Sequence, residues 1–335
     1  MIKMDYGDAV HKNKLETAFC ALLYDEDRRQ KEWKKLRGQL YKYDNRFKVL
    51  LPTKMKELMV LPFTKLAAIY DMYVVLNIEK NKIKLHDDLK ELFNYKNRHT
   101  GKFRGMSDDI INFFKDEKNG FKIYRCHYCD MSYINYFQYA KGKRTQFDLD
   151  HVLDKGRCPI VALSLYNLVP VCPTCNGPHI KGQRTMTITL AQRQKLSPTS
   201  TLYDFDNKVK IWIKPIAGKM HNTNILKRQD EYELDFDTTA DMDYKKEIEF
   251  FFLKERYNYH KCEALRLVDL KTKYSKSKIV ELARIICGRG KTKNKTLTLE
   301  AYRIVEQIRA DIFGSNFSQS YHRVFGKLHK DIIAI

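Results

Sequence analysis

Nowhere in the 335 residues does an apolar run reach the length of about 18 needed to span a bilayer. The opening Met1-Ile2-Lys3-Met4-Asp5 lacks the apolar core of a secretory signal. Together these absences predict an intracellular, cytoplasmic chain with no membrane partner. There is no internal repeat, which excludes a solenoid or propeller, and no low-complexity linker. Acidic residues are scarce relative to basic ones, 41 Asp and Glu against 62 Lys and Arg, for a formal net charge of +21. Such a balance favours polyanionic partners, nucleic acid or an anionic surface. The length admits roughly two domains with ample cores.

Eight cysteines are present, and their spacing is the most informative feature of the chain. Cys20, Cys158, Cys262 and Cys287 are scattered singly, and in a reducing compartment they are expected as buried small side chains. The other four form two Cys-x-x-Cys pairs, Cys126/Cys129 and Cys172/Cys175. Two such pairs, about 42 residues apart, can close a tetrahedral structural zinc site. They bracket Asp148-Leu149-Asp150-His151, and Asn176 follows the last cysteine directly.

Phosphodiester hydrolysis needs a water nucleophile, a base for its proton and positive charge on the crowded oxygens. His151 suits the base, being neutral and basic near pH 7. Asp150 is a hard oxygen ligand suited to Mg2+ or Mn2+, and the Asn176 amide is a second candidate ligand. In an extended segment Asp148 points the same way as Asp150, making it an alternative or supporting ligand.

The apolar spacing predicts an α+β chain. Residues 1–120 read as a helical N-terminal domain, with Leu22, Leu23, Trp33, Leu36, Leu40 and Tyr41, then Phe63 to Leu76, at helical spacing. Asp108-Asp109 open a short helix that Asn119-Gly120 ends. Residues 121–190 read as a small zinc-stabilised core, with strands expected at Phe121–Tyr124 and Phe147–Val152. Residues 191–335 read as mixed, then helical. Alternation at Lys208–Lys214 and Glu231–Phe236 predicts a strand pair, and amphipathic segments follow near 276–287 and 298–313. Gly288–Lys295 reads as a mobile basic loop.

Tyr166-Asn167-Leu168-Val169-Pro170-Val171-Cys172-Pro173-Thr174-Cys175-Asn176, taken with the upstream Asp-His, resembles the HNH endonucleases, the zinc-bearing ββα-metal group. More narrowly, Cys126-His127-Tyr128-Cys129, Tyr133-Ile134, Asp150-His151 and Ala162 to Pro170 resemble bacterial HNH proteins of phage-defence or mobile loci. The likeness covers about residues 121–185, with fainter echoes at Leu92-Phe93-Asn94-Tyr95, Phe252-Leu253, Arg256-Tyr257 and Tyr259-His260. It implies His151 as general base, Asn167 as the residue that braces the loop and orients His151, and Asn176 as metal ligand with Asp150. It also implies products with 5′-phosphate and 3′-hydroxyl ends. The chain departs from the pattern at Asn176-Gly177-Pro178-His179, which makes His179 a competitor for the ligand position.

Lys141, Lys143, Arg144, Lys181 and Arg184 flank this core and are candidates to line a nucleic-acid groove. His11, His86, His99, His221, His260, His322 and His329 have no ligand-like company and read as structural. The leading expectation is a metal-dependent DNA endonuclease, RNA also being a possible substrate, with structural Zn2+ and catalytic Mg2+ or Mn2+. Its rivals are a nuclease subunit that fires only when an ATPase or sensor partner signals, and a non-catalytic zinc module that binds nucleic acid.

Overall fold

A computed structural model describes residues 1–96, 101–140, 142–186, 188–219, 229–287, 299–313 and 323–334. The chain divides into two compact units, Met1–Phe205 and Asp206–Ile335. It is a mixed helical and sheet protein with three two-stranded antiparallel sheets among the described residues. No described helix is long and apolar enough to cross a membrane.

The first unit begins with helices, including Ala9–Cys20, Glu26–Tyr43, Phe63–Val75, Ile83–Leu92 and Ser107–Lys115. Trp33, Leu36 and Leu40 recur on one face of Glu26–Tyr43 and are fully buried. Trp33 meets Phe93 edge to face, 5.5 Å between ring centres. Arg29, on the same helix, is buried as well. Its guanidinium covers the Phe103 ring and donates to the carbonyls of Leu92 and of Arg104, the latter at 2.6 Å. Those bonds tie down the chain just after helix Ile83–Leu92, where Tyr95 lies. The Tyr95 carbonyl accepts from Ser107 N–H at 2.8 Å.

Three pieces of sheet were expected from the sequence, and one of them is missing. Phe121–Tyr124 forms no strand. The Phe121 ring instead stacks on Phe114 at 4.7 Å, and Ile123 N–H donates to Phe121 carbonyl, a tight turn that leaves the stretch too bent to pair. Pairing is limited to a single bridge, Arg125 to Tyr133. The other sheet residues of this unit are β1 (Tyr136–Tyr139) with β2 (Gly142–Thr145), and β3 (Asp148–His151) with β4 (Leu168–Val171).

In the second unit β5 (Lys210–Pro215) pairs with β6 (Tyr232–Asp237), as the alternation predicted. Ile211, Leu234 and Tyr257 are buried. Helices Lys276–Ile286 and Leu299–Phe313 pack through Ile279, Ala283, Val305 and Phe313. Gly288–Lys295 lies outside the described residues. Cys158 is buried as expected, Cys20 and Cys287 only partly so, whereas Cys262 is exposed at the start of helix Lys261–Lys273. Of the histidines read as structural, His99, His221 and His322 lie outside the described residues. His86 is hydrogen-bonded to Tyr73 at 2.9 Å, and His329 to Glu263 at 2.7 Å.

Candidate metal centre and basic cleft

The four cysteines of the two Cys-x-x-Cys pairs come together. All are buried, and their sulfur atoms lie within 4.8 Å of one another. The Cys129 and Cys172 sulfurs are 4.0 Å apart, about twice a disulfide bond. This is close to the ~3.8 Å edge of a tetrahedron with zinc–sulfur bonds of about 2.3 Å. Each pair sits in a turn whose amides point at sulfur. Met131 N–H donates to Cys129 Sγ at 3.4 Å, Cys172 N–H to Cys126 Sγ at 3.2 Å and Cys175 N–H to Cys172 Sγ at 3.4 Å.

Asp130, in the left-handed region at φ 59°, turns the first pair and forms a buried ion pair with Arg125. Pro173 starts the short helix Pro173–Asn176 that carries the second pair. Burial pushes the Cys126 thiol up, while hydrogen bonds from the neighbouring sulfurs pull Cys172 down. Such a set is satisfied when thiolates share one cation, so the donor chemistry fits a structural zinc.

The sheet β3–β4 joins this centre to the second candidate site. Asp148 pairs with Val171, next to Cys172, and His151 pairs with Leu168. Between the strands runs the segment Val152–Asn167, and fully buried Asn167 closes it. Its Oδ1 accepts from Leu153 N–H at 2.7 Å, and its Nδ2 donates to the Leu153 and Val161 carbonyls at 3.0 Å each. The Asn167 carbonyl also accepts from Val152 N–H at 3.0 Å. Asn167 thus braces the loop immediately after His151.

His151 is buried, with its ring edge-on to Tyr95 at 4.5 Å between centres. Its Nε2 lies 2.9 Å from the Ala162 carbonyl. A carbonyl only accepts, so Nε2 carries the proton of the neutral ring and Nδ1 carries the lone pair. Lys155 Nζ is 3.2 Å from Nδ1. Burial, then the Lys155 charge, hold His151 well below the usual imidazole range, and burial likewise pulls Lys155 down.

Asp150 is buried beside it. Oδ2 accepts from the Tyr128 hydroxyl at 2.6 Å, and Oδ1 pairs with Lys181 Nζ at 2.6 Å. Lys181 also donates to the His151 carbonyl at 3.2 Å. The Lys181 ammonium therefore stands between the Asp150 carboxylate and the His151 carbonyl oxygen. Asn176 Nδ2 donates to Asp148 Oδ2 at 3.1 Å.

A turn brings Lys181 here. Gly177 N–H donates to the Pro173 carbonyl at 2.7 Å, and Lys181 N–H to the Cys175 carbonyl at 3.2 Å. A Cβ on Gly177 would stand 2.8 Å from the Pro173 carbonyl oxygen, so the close approach requires glycine.

Asp150, His151 and Asn176 line one cleft of about 880 Å³. Its walls carry Lys90, Lys96, Lys155, Arg157, Lys181 and Arg184 against Glu79, Asp150 and Asp154. Of the basic residues expected to face nucleic acid, Lys181 and Arg184 are on this wall. Lys143 and Arg144 are instead on β2 and outside the lining, and Lys141 lies outside the described residues. His179 is exposed in the Gly177–Gly182 turn and is not part of the lining. Among the described residues, the four cysteines are the one group of three or more His, Cys, Asp or Glu compact enough to hold an ion.

Sequence reasoning missed Tyr128, Tyr95, Lys155 and the wall residues Lys90, Lys96 and Arg157. Tyr128 had a signal, since it lies inside the first Cys-x-x-Cys pair, and Tyr95 had one in the faint Leu92–Tyr95 likeness. Lys90 and Arg157 had none. No protein-family model, curated protein or solved structure matches this chain.

Proposed function

We propose that this protein is a metal-dependent endonuclease of the HNH type that hydrolyses phosphodiester bonds in DNA, in the cytoplasm. The observation that carries the reading is the His151 ring, whose Nε2–H is tied to the Ala162 carbonyl so that Nδ1 keeps its lone pair on the wall of a basic cleft beside Asp150.

An imidazole held in one tautomer, neutral at pH 7, is equipped to take a proton from water. A module that only binds nucleic acid has no use for such a base, and burying one imposes a desolvation cost. Lys155, Lys181 and Arg184 supply positive charge for a phosphate and its neighbours. In the reaction water takes the place of Lys155 Nζ at Nδ1 and attacks phosphorus, Nδ1 takes the water proton, and the sugar oxygen expelled from phosphorus takes a proton from solvent to end as a hydroxyl. The HNH resemblance implies that this leaves 5′-phosphate and 3′-hydroxyl ends. Asp150 and Asn176, which line the same cleft, would be the residues to hold Mg2+ or Mn2+, and that ion would supply positive charge to the leaving oxygen.

Incubating the purified chain with supercoiled plasmid tests this reading. Nicking is expected with added Mg2+ or Mn2+ and is expected to stop in excess chelator. An intact plasmid across both metals, from a zinc-loaded and folded sample, would remove the activity of the chain by itself. It would turn attention to a partner that switches it on.

A further inference from the structure

We propose that the hairpin β1–β2 is a stacking platform for the bases of a single-stranded or unpaired nucleic-acid segment. This goes beyond phosphate binding in the cleft and rests on the nuclease reading only for why the chain meets nucleic acid. The hairpin is an isolated pair of strands, so no third strand covers its edges among the described residues.

Two aromatic rings are exposed here, Phe137 on β1 and Tyr133 in the segment that leads into it. Tyr133 is 62% exposed and Phe137 43%, whereas Ile134 between them is fully buried. Side chains two apart on a strand stand about 6.8 Å from each other. Phe137 and Tyr139 are two apart on β1, a spacing twice the ~3.4 Å rise per nucleotide.

Directly opposite Phe137 is Arg144, whose guanidinium lies over the Tyr139 ring at 4.6 Å from its centre. Opposite residues share a face, so Phe137, Arg144 and Tyr139 form one aromatic-cation-aromatic row. On the other face Lys143 Nζ covers Tyr136 at 5.1 Å. Aromatic rings offer a base its flat face regardless of sequence, while adjacent cations neutralise the backbone. A duplex keeps its bases stacked on each other and cannot use these rings without melting. The chemistry therefore selects an unpaired strand over duplex and over an acidic protein, which has charge for Arg144 but no planar rings for Phe137.

The test uses full-length His151→Ala protein in chelator, so that cleavage plays no part. Fluorescence anisotropy reads its binding to a labelled oligothymidine and to a duplex of equal length. Tighter binding of the single strand is expected. Phe137→Ala combined with Tyr133→Ala should weaken that binding about ten-fold while leaving duplex binding unchanged. Phe137→Trp should retain it, and zinc content and melting temperature guard against misfolding.

Equal losses on single strand and duplex, or no loss from the aromatic changes while Arg144→Gln weakens both, would overturn the platform in favour of a purely electrostatic surface. A chain that binds single strands through Phe137 yet nicks no plasmid supports the platform and fails the nuclease reading. One that nicks plasmid and ignores the aromatic changes does the reverse.

Discussion

The cysteine centre and the basic cleft lie at opposite ends of one short sheet, and they are built on opposite terms. The centre is closed: four buried sulfurs and inward-pointing amides make a complete donor set of the chain's own residues. The cleft is open, and its key atoms are already held by the chain's own lysines. Lys181 holds Asp150, and Lys155 faces the His151 lone pair. A closed site stores its free energy in the fold, whereas an open one keeps its charges in balance until something displaces a partner. The same segment of sequence, read for metal ligands alone, does not reveal that contrast.

The largest effect that tests it is expected from Cys172→Ser. It breaks a site whose binding energy is folding energy, so zinc, solubility and cleavage should disappear together, as read by metal analysis and circular dichroism. A folded, zinc-loaded Cys172→Ser protein would mean that the four sulfurs are only a packed cluster.

His151→Ala should behave in the opposite way. It leaves every thiolate in place, so zinc, fold and DNA affinity should persist while the nicking rate falls by roughly two orders of magnitude or more. Near wild-type nicking would deny the ring its role as base.

Asn167→Ala lies between the two sites. Three side-chain hydrogen bonds disappear from a fully buried position, and at about 1 kcal/mol each the loss is about 3 kcal/mol. Denaturant unfolding should show it, with zinc still bound at low denaturant and nicking reduced through misplacement of His151. A change within about 0.5 kcal/mol would show that the loop holds itself.

The smallest effect is expected at Lys181. Its ammonium occupies the oxygens a divalent ion would use, so Lys181→Met should lower the Mg2+ concentration for half-maximal nicking a few-fold. A higher requirement would mean that Lys181 helps to assemble the site rather than competing for it.

Legibility in the sequence followed the range of the interactions. The β5–β6 pair shows as alternation, because a strand with one buried face must alternate. The cysteine cluster shows as spacing, because a turn that presents two sulfurs to one ion fixes their separation. Asp150 and His151 stand out for their chemistry, but the groups that set their state do not. Tyr128 and Tyr95 reach the pair from outside β3, and Lys181 is folded back by a turn that depends on Gly177. Those approaches are tertiary, and local pattern carries little trace of them. Phe121–Tyr124 failed as a strand for the converse reason: its apolar residues serve ring packing against helix Ser107–Lys115 rather than a ladder.

Strand β4 has a consequence for how the chain tolerates insertions and deletions. Four residues, Leu168–Val171, separate the loop clip at Asn167 from the sulfur of Cys172, and each is paired with a residue of β3. A side chain on a strand changes sides with every step, so one residue added or removed in this span would turn Asp150 and His151 over relative to the sulfur centre. Exposed positions such as Gln138 on β1 allow wide substitution, but a gain or loss of even one codon between Asn167 and Cys172 should abolish both sites at once.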